Sequence, residues 1–495
     1  MGTARKVAYN TLTQVAGRLL GLIITLVTVN FIANHLTVDG SALRAFGQYT
    51  IIFTYVSIIG SAADFGLFTL LVREMSGKSR DEAGELVGNA LAFRLLLFGA
   101  TLVTFLLLYQ FLPYLDVVKQ GIIIGVVIAF SMLFSQVIAT VFQSKLLADR
   151  IVIAETLGKV AIAVATILAL RAGYGLLAVV FVNLLGQLLT LAVSYYLVRG
   201  LVHVKLRLDT KLWRSLLPQF GTIALINLLA LVHFKTDMLL LTFLKGEADV
   251  GIYGVAYKLF EVVLVIPSIF AANLLPVLST ALLENRGPDA NRMLRRSAST
   301  LLIIAAVLMV TLTVFAPLAI VFITQPSFLA AVAPLQVLVV SVIFVFITTL
   351  VSQAIIASRN QGALVRGYLI VVAVNILLNL YAIPRYSYMG AATVTVITEA
   401  ILLIYTLAMS RRHFSDYINW PLVARVTIAA AATWLIVRLL PLGNVDALEF
   451  AASSKFSQVG WLLGAFLTVS GVFLAALLVT FRGSLRRVLE LLWVR

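Results

Sequence analysis

Runs of about twenty apolar residues follow one another from end to end of this 495-residue chain, and that recurrence excludes most folds. Leu19 to Ala33 and Leu301 to Phe322 are apolar on every side, not along one stripe. A helix of that kind belongs in lipid, since the surface helix of a soluble domain keeps a polar face. With 61% hydrophobic and 12% charged residues there is no room for a sizeable soluble domain. The first run, from about Leu12 to His35, is longer than a signal-peptide core and lacks a small-x-small cleavage site, so it is expected to stay as the first span. The chain has no cysteine, which excludes disulfides, thiolate metal sites and cysteine nucleophiles.

A window of about twenty residues places about fourteen spans. They fall near 12–35, 46–71, 86–110, 118–143, 151–170, 174–198, 216–244, 250–280, 298–324, 329–357, 364–383, 387–410, 420–440 and 456–481. The expected fold is therefore an all-α polytopic membrane protein. With both termini cytoplasmic, twenty-four Lys and Arg fall on the inner connections and tail. Only six, Arg44, Lys119, Arg171, Lys245, Arg385 and Lys455, fall on the outer ones. Such a positive-inside bias sets the orientation. It also accounts for the net charge of +16 through anionic membrane lipids, with no nucleic-acid partner.

Seven bases remain inside spans: Arg18, Arg94, Lys159, Lys235, Lys258, Arg425 and Arg438. Five acids join them: Asp64, Glu155, Asp237, Glu261 and Glu399. Each costs roughly 3 kcal/mol to insert, so such residues pair with one another or face a wet cavity. Arg425 and Arg438 lie near span ends, where long side chains snorkel. At about 1.5 Å per residue, Arg18, Asp64, Arg94 and Lys159 share a depth roughly 9 to 12 Å from the cytoplasmic boundary. Glu155 precedes Lys159 by one turn, in the favourable order for an ion pair. Lys235, Asp237, Lys258 and Glu261 fall at one outer-side depth on the hairpin of spans 7 and 8. Asp237 with Lys258, and Lys235 with Glu261, are the expected pairs. His233 shares the Asp237 face, whereas Lys235 points nearly opposite. Amides such as Gln136, Gln187, Asn375 and Asn379 serve either as sugar partners or as links between helices.

The chain also repeats. Phe46-Gly-Gln-Tyr and Val250-Gly-Ile-Tyr, just over two hundred residues apart, open spans 2 and 8, and Ala148-Asp-Arg and Ala357-Ser-Arg precede spans 5 and 11. Spans 1–6 thus correspond to spans 7–12, and an even number per block makes the repeat parallel. The expected organisation is an N-lobe over 1–200, a C-lobe over 201–413, and spans 13 and 14 with a basic cytoplasmic tail over 414–495. Two pseudo-symmetric six-helix lobes around a central cavity suit alternating access.

Asn10 and Arg18 about the start of span 1, Phe46-Gly-Gln-Tyr, Asp64-Phe-Gly-Leu before Arg73-Glu, His233-Phe-Lys-Thr-Asp, Val250-Gly-Ile-Tyr-Gly-Val-Ala-Tyr-Lys and Leu274-Leu-Pro-Val-Leu-Ser together resemble a polysaccharide transporter. More closely, they are similar to the O-antigen or repeat-unit flippases of the multidrug/oligosaccharidyl-lipid/polysaccharide superfamily. The resemblance implies flipping of a polyprenyl-diphosphate-linked oligosaccharide from the cytoplasmic to the outer leaflet of the inner membrane. It implies a cationic cavity, and a coupling ion, proton or sodium. Arg18, Asp237 and Lys258 match the family's charged positions. A diphosphate independently calls for paired cations such as Arg18, Arg94, Lys159, Lys235 and Lys258, with Asp64, Asp237, Glu261 and Glu399 as ion-coupling or charge-pairing groups. Lys235 and His233 beside Asp237 depart from the family's pattern and leave open whether that acid carries ions or is locked in a pair. A peptidoglycan-precursor (lipid II) flippase is the alternative, followed by a cation-coupled multidrug exporter. An enzyme is not expected, because a glycosyltransferase or polymer ligase would need a sizeable outer loop or an acidic metal-ligand pair in a connection; no metal site and no cofactor are expected either.

Overall fold

The computed structural model of the protein describes residues 3–64, 66–75, 78–411, 413–415, 417–440 and 445–481. Arg412 and the basic tail, with Arg482, Arg486, Arg487 and Arg495, lie outside the described residues. The described residues fold into α-helices: α1 Thr3–His35, α2 Ala42–Asp64, α3 Leu67–Met75, α4 Arg80–Leu108, α5 Asp116–Ser144, α6 Ala148–Arg171, α7 Leu176–Val198 and α8 Thr210–Leu244. These are followed by α9 Glu247–Val263, α10 Val265–Leu283, α11 Gly287–Ile323, α12 Val332–Ala357, α13 Gln361–Ser410, α14 Trp420–Leu439, α15 Ala447–Ala452 and α16 Lys455–Thr480.

Among the described residues, thirteen segments are long and apolar enough to cross a membrane. The expected fourteenth is inside α13. Its 50 residues would rise about 75 Å, more than twice the hydrocarbon thickness of a bilayer. Ser387, at φ 47° and ψ −132°, breaks it between the expected eleventh and twelfth spans. The expected second span also overran a turn. Gly66, with φ 71°, separates α2 from the short α3.

Helix starts follow local chemistry. Ser79 and Glu82 form a reciprocal capping box at α4, with the Ser79 amide donating to Glu82 Oε2 at 2.9 Å. Asn419 caps α14 by accepting from the Leu422 amide at 3.2 Å, just before Pro421.

Contacts divide the chain into two compact units, Met1–Lys235 with Gly246–Gly251, and Thr236–Lys245 with Ile252–Arg495. In the first unit α5 is the central helix and packs on α2, α3, α4 and α7. In the second, α12 is central and packs on α10, α11 and α13. These are the fourth and tenth expected spans, so positions equated by the sequence repeat hold the same place in their own units.

Small residues set the closest approaches. Gly158 of α6 and Gly186 of α7 face each other so tightly that a Cβ on Gly186 would stand 3.1 Å from the Gly158 carbonyl oxygen. Gly47 and Gly251, the glycines of the two repeated motifs, meet in the same way, and Gln48 Nε2 donates to Glu247 Oε2 beside them at 2.9 Å. The segment between α7 and α8 is extended and lies on α4. A Cβ at Gly84 or Gly88 would strike the backbone of His203 or Lys205. Arg80 donates to the carbonyls of Gly200 and Leu201, Asn89 Oδ1 accepts from the Asp209 amide at 2.6 Å, and His203 Nδ1 lies 3.0 Å from Asp81.

Candidate functional site

Each unit contains a polar cluster. In the first, α2, α4 and α5 enclose an ion pair. Arg94 Nη2 stands 2.6 Å from Asp64 Oδ1, and Nη1 donates to the Leu133 carbonyl. The Arg94 side chain is 0% exposed and Asp64 is 24% exposed. Arg94 was expected to bind substrate, but a guanidinium so covered presents no surface to a ligand in this conformation. Asp64 holds it in place. Arg18 stays exposed on α1.

A cavity of about 210 Å³ opens between α5, α6 and α7. Glu155, Lys159, Gln136, Gln187, Ser135, Thr190 and Ser194 line it with charge, amide and hydroxyl groups. The helical period explains the convergence: 155 and 159 are one turn apart on α6, and 187, 190 and 194 follow one face of α7. The expected Glu155–Lys159 ion pair does not form. The Lys159 amine is turned over Gly21 of α1, where the missing side chain leaves it room. The amine is therefore half-buried and available to the cavity that Lys159 lines.

In the second unit Asp237 is 2% exposed. Its carboxylate accepts from the Tyr253 hydroxyl, from Thr395 Oγ1 at 3.1 Å and from the Met238 amide at 2.8 Å. Lys258 is paired not with Asp237 but with Glu261, at 3.4 Å on the next turn of α9. The network continues along α13. Thr398 Oγ1 donates to the Thr395 carbonyl at 3.2 Å, Asn375 Nδ2 approaches Thr398 Oγ1 at 3.5 Å, and Asn379 Nδ2 donates to Asn375 Oδ1 at 3.1 Å. Asn379 is 0% exposed, and its Oδ1 has no hydrogen-bond partner among the described residues. An acceptor left over in a buried place is unusual and invites a donor or a cation. Glu399, on the half of α13 that carries Thr395 and Thr398, is 1% exposed. Lys235 is half-buried on α8.

Tyr253 and Thr395 were not singled out from the sequence. The signal for Tyr253 was present, because it closes the repeated Val250-Gly-Ile-Tyr motif. Thr395 carried none, being one of many hydroxyls in apolar helices.

The arrangement can be set beside known proteins. The family model for polysaccharide biosynthesis proteins matches residues 3–282. No curated protein sequence matches the chain. Among solved structures, the lipid II flippase MurJ in an inward closed conformation is 17% identical, with a TM-score of 0.74 over 96% of this chain and 99% of that one. An inward-facing multidrug resistance transporter of the MATE family, within the MOP superfamily, is 14% identical, with a TM-score of 0.68 over 82% of this chain and 98% of that one. A MOP superfamily transporter from Pyrococcus furiosus, whose binding pocket is described as reversed in polarity, is 14% identical, with a TM-score of 0.62 over 83% of this chain and 96% of that one. At these identities the likeness establishes the fold. The family match covers more than half of the chain, so this multi-pass membrane protein belongs to the polysaccharide biosynthesis protein family.

Proposed function

We propose that the protein is a flippase that moves a polyprenyl-diphosphate-linked oligosaccharide from the cytoplasmic to the outer leaflet of the inner membrane. The observation that carries this reading is the cavity of the first unit, where one amine, Lys159, stands among the amides Gln136 and Gln187 and the hydroxyls of Ser135, Thr190 and Ser194. A diphosphate is met by a cation, and sugar hydroxyls by groups that both donate and accept. Arg18, exposed on α1, adds a second cation on the helix that packs against α6. Lobes over about 1–200 and 201–413 alternate their access, with both termini cytoplasmic. Transport is coupled to a cation, proton or sodium, at Asp237, whose carboxylate is buried among oxygen-bearing side chains with Asn379 further along the same network.

The lipid II flippase is a second reading, favoured by the near-complete overlap with that fold, including the two C-terminal helices. Mass spectrometry of lipid co-purified from native membranes separates the two. A diphosphate lipid bearing an oligosaccharide without peptide is expected. A disaccharide carrying a peptide favours the second reading, and cationic amphiphiles without diphosphate lipid would overturn both. In proteoliposomes, Asp237→Asn should remove the dependence of flipping on the cation gradient. Unchanged dependence places coupling elsewhere, with Glu399 next in line.

A further inference from the structure

A second cavity, of about 180 Å³, lies within the second unit between α11, α12, α13 and the start of α14. Its wall includes Leu302, Ile347, Leu407, Trp420 and Leu422, and is almost wholly apolar. Such a space inside a membrane protein is filled by hydrocarbon. An acyl chain gains little by leaving the bilayer for it, since lipid tails are as apolar as leucine. Selection must come from what stands at the mouth.

Arg295 is one turn before Ser299, a lining residue, on α11, and Ser299 Oγ donates back to the Arg295 carbonyl at 2.9 Å. Arg411 is one turn beyond the lining residue Leu407 on α13, where the backbone is still helical at φ −57° and ψ −19°. Residues four apart share a helix face, so each guanidinium extends the cavity wall toward the same end of the molecule. That end is basic. α11 starts there with Arg292, Arg295 and Arg296, and α13 ends there. Arg295 and Arg411 are both exposed, and neither has a carboxylate within ion-pair distance among the described residues. Asp289 is held by Arg292 at 3.6 Å. Trp420, 58% exposed, stands at the rim, the depth at which tryptophan meets lipid headgroups.

We propose that this cavity binds an anionic phospholipid of the leaflet at the basic end, with an acyl chain between α11 and α14 and the phosphate between Arg295 and Arg411. The site shares no lining residue with either polar cluster and is independent of which glycan is moved.

The full chain, reconstituted in dioleoylphosphatidylcholine vesicles, is titrated with phosphatidylglycerol or phosphatidylcholine brominated in the acyl chain, and tryptophan quenching is read. The Trp420 part is the difference between the native protein and Trp420→Phe. It should be half-quenched at a mole fraction about ten- to thirtyfold lower for the glycerol lipid, as two guanidiniums contribute roughly 1 kcal/mol each. Raising the salt from about 0.1 to about 1 M should shrink that preference. Arg295→Gln with Arg411→Gln should remove it, and the double Lys variant should keep most of it. Equal quenching of Trp420 by the two lipids in the native protein would overturn the proposal, as would an undiminished preference in the double Gln variant.

Discussion

Taking the Arg94 guanidinium out of water is costly, and the cost is offset only while Asp64 and the Leu133 carbonyl stay in place. Arg94→Ala should therefore lower stability by about 3 to 5 kcal/mol, because it strands a carboxylate. Thermal unfolding in detergent measures this, and the loss of transport should follow the loss of folded protein. A variant that folds normally yet no longer binds substrate would return Arg94 to the transport pathway. Asp237 accepts from the Tyr253 and Thr395 hydroxyls and the Met238 amide. Tyr253→Phe removes one of them and should cost about 1.5 to 3 kcal/mol, the range for a hydrogen bond to a charged group. The sequence put both acids inside spans, and the structure sets Asp64 beside Arg94 and Asp237 beside hydroxyls and a backbone amide. For Asp237 the error was one of register. Asp237 is seven residues before the end of α8, and α9 begins at Glu247, so equal depth across the hairpin falls at Gly254, next to Tyr253, whereas Lys258 is about one turn deeper. Starting the eighth span at 250 instead of 247 was enough to shift the match.

At the scale of helices, hydrophobic runs located nearly every span, because burial in lipid demands length and apolarity and both are visible in one dimension. Breaks within the runs were legible only in part. Gly66 fell inside the expected second span, whereas the break in α13 was expected between spans ending near 383 and starting near 387, and the structure makes it at Ser387. Its φ of 47° lies where a side chain is strained and glycine is not. Ser387→Gly should therefore stabilise the protein by up to about 1 kcal/mol, whereas Ser387→Val should destabilise it by more, both read from thermal unfolding. The extended segment lying on α4 was hidden. Gly84 and Gly88 read as ordinary small residues in a span, and nothing local says that the backbone of His203 and Lys205 occupies the space above them. Gly84→Val should displace that segment, and limited proteolysis between 200 and 209 should speed up several-fold if the contact holds it.

At the scale of the whole molecule, the sequence makes a claim that helix packing does not test: which end faces the cytoplasm. The claim rests on Lys and Arg, twenty-four against six, and on the number of crossings, since one span more or fewer reverses every connection after it. α13 is the element on which the parity turns. If its 50 residues cross once, the ends at Gln361 and Ser410 lie on opposite sides; if they cross twice, with Ser387 at the outer turn, both ends lie inside. The chain lacks cysteine, so a single introduced thiol can be labelled without background. Asp39, in the first outer connection, is 78% exposed at its side chain, Tyr386 is 62% exposed beside the α13 turn, and Glu284, in an inner connection, is 54% exposed at its side chain. A membrane-impermeant maleimide applied to intact cells with an opened outer barrier should label Asp39→Cys and Tyr386→Cys. It should reach Glu284→Cys, and likewise Arg359→Cys ahead of α13, only after the inner membrane is permeabilised. Labelling of Glu284→Cys alone in intact cells would invert the orientation and with it the direction of flipping. Labelling of Asp39→Cys but not Tyr386→Cys would mean that α13 does not turn at the outer surface, and would remove the even number of crossings on which the parallel repeat depends.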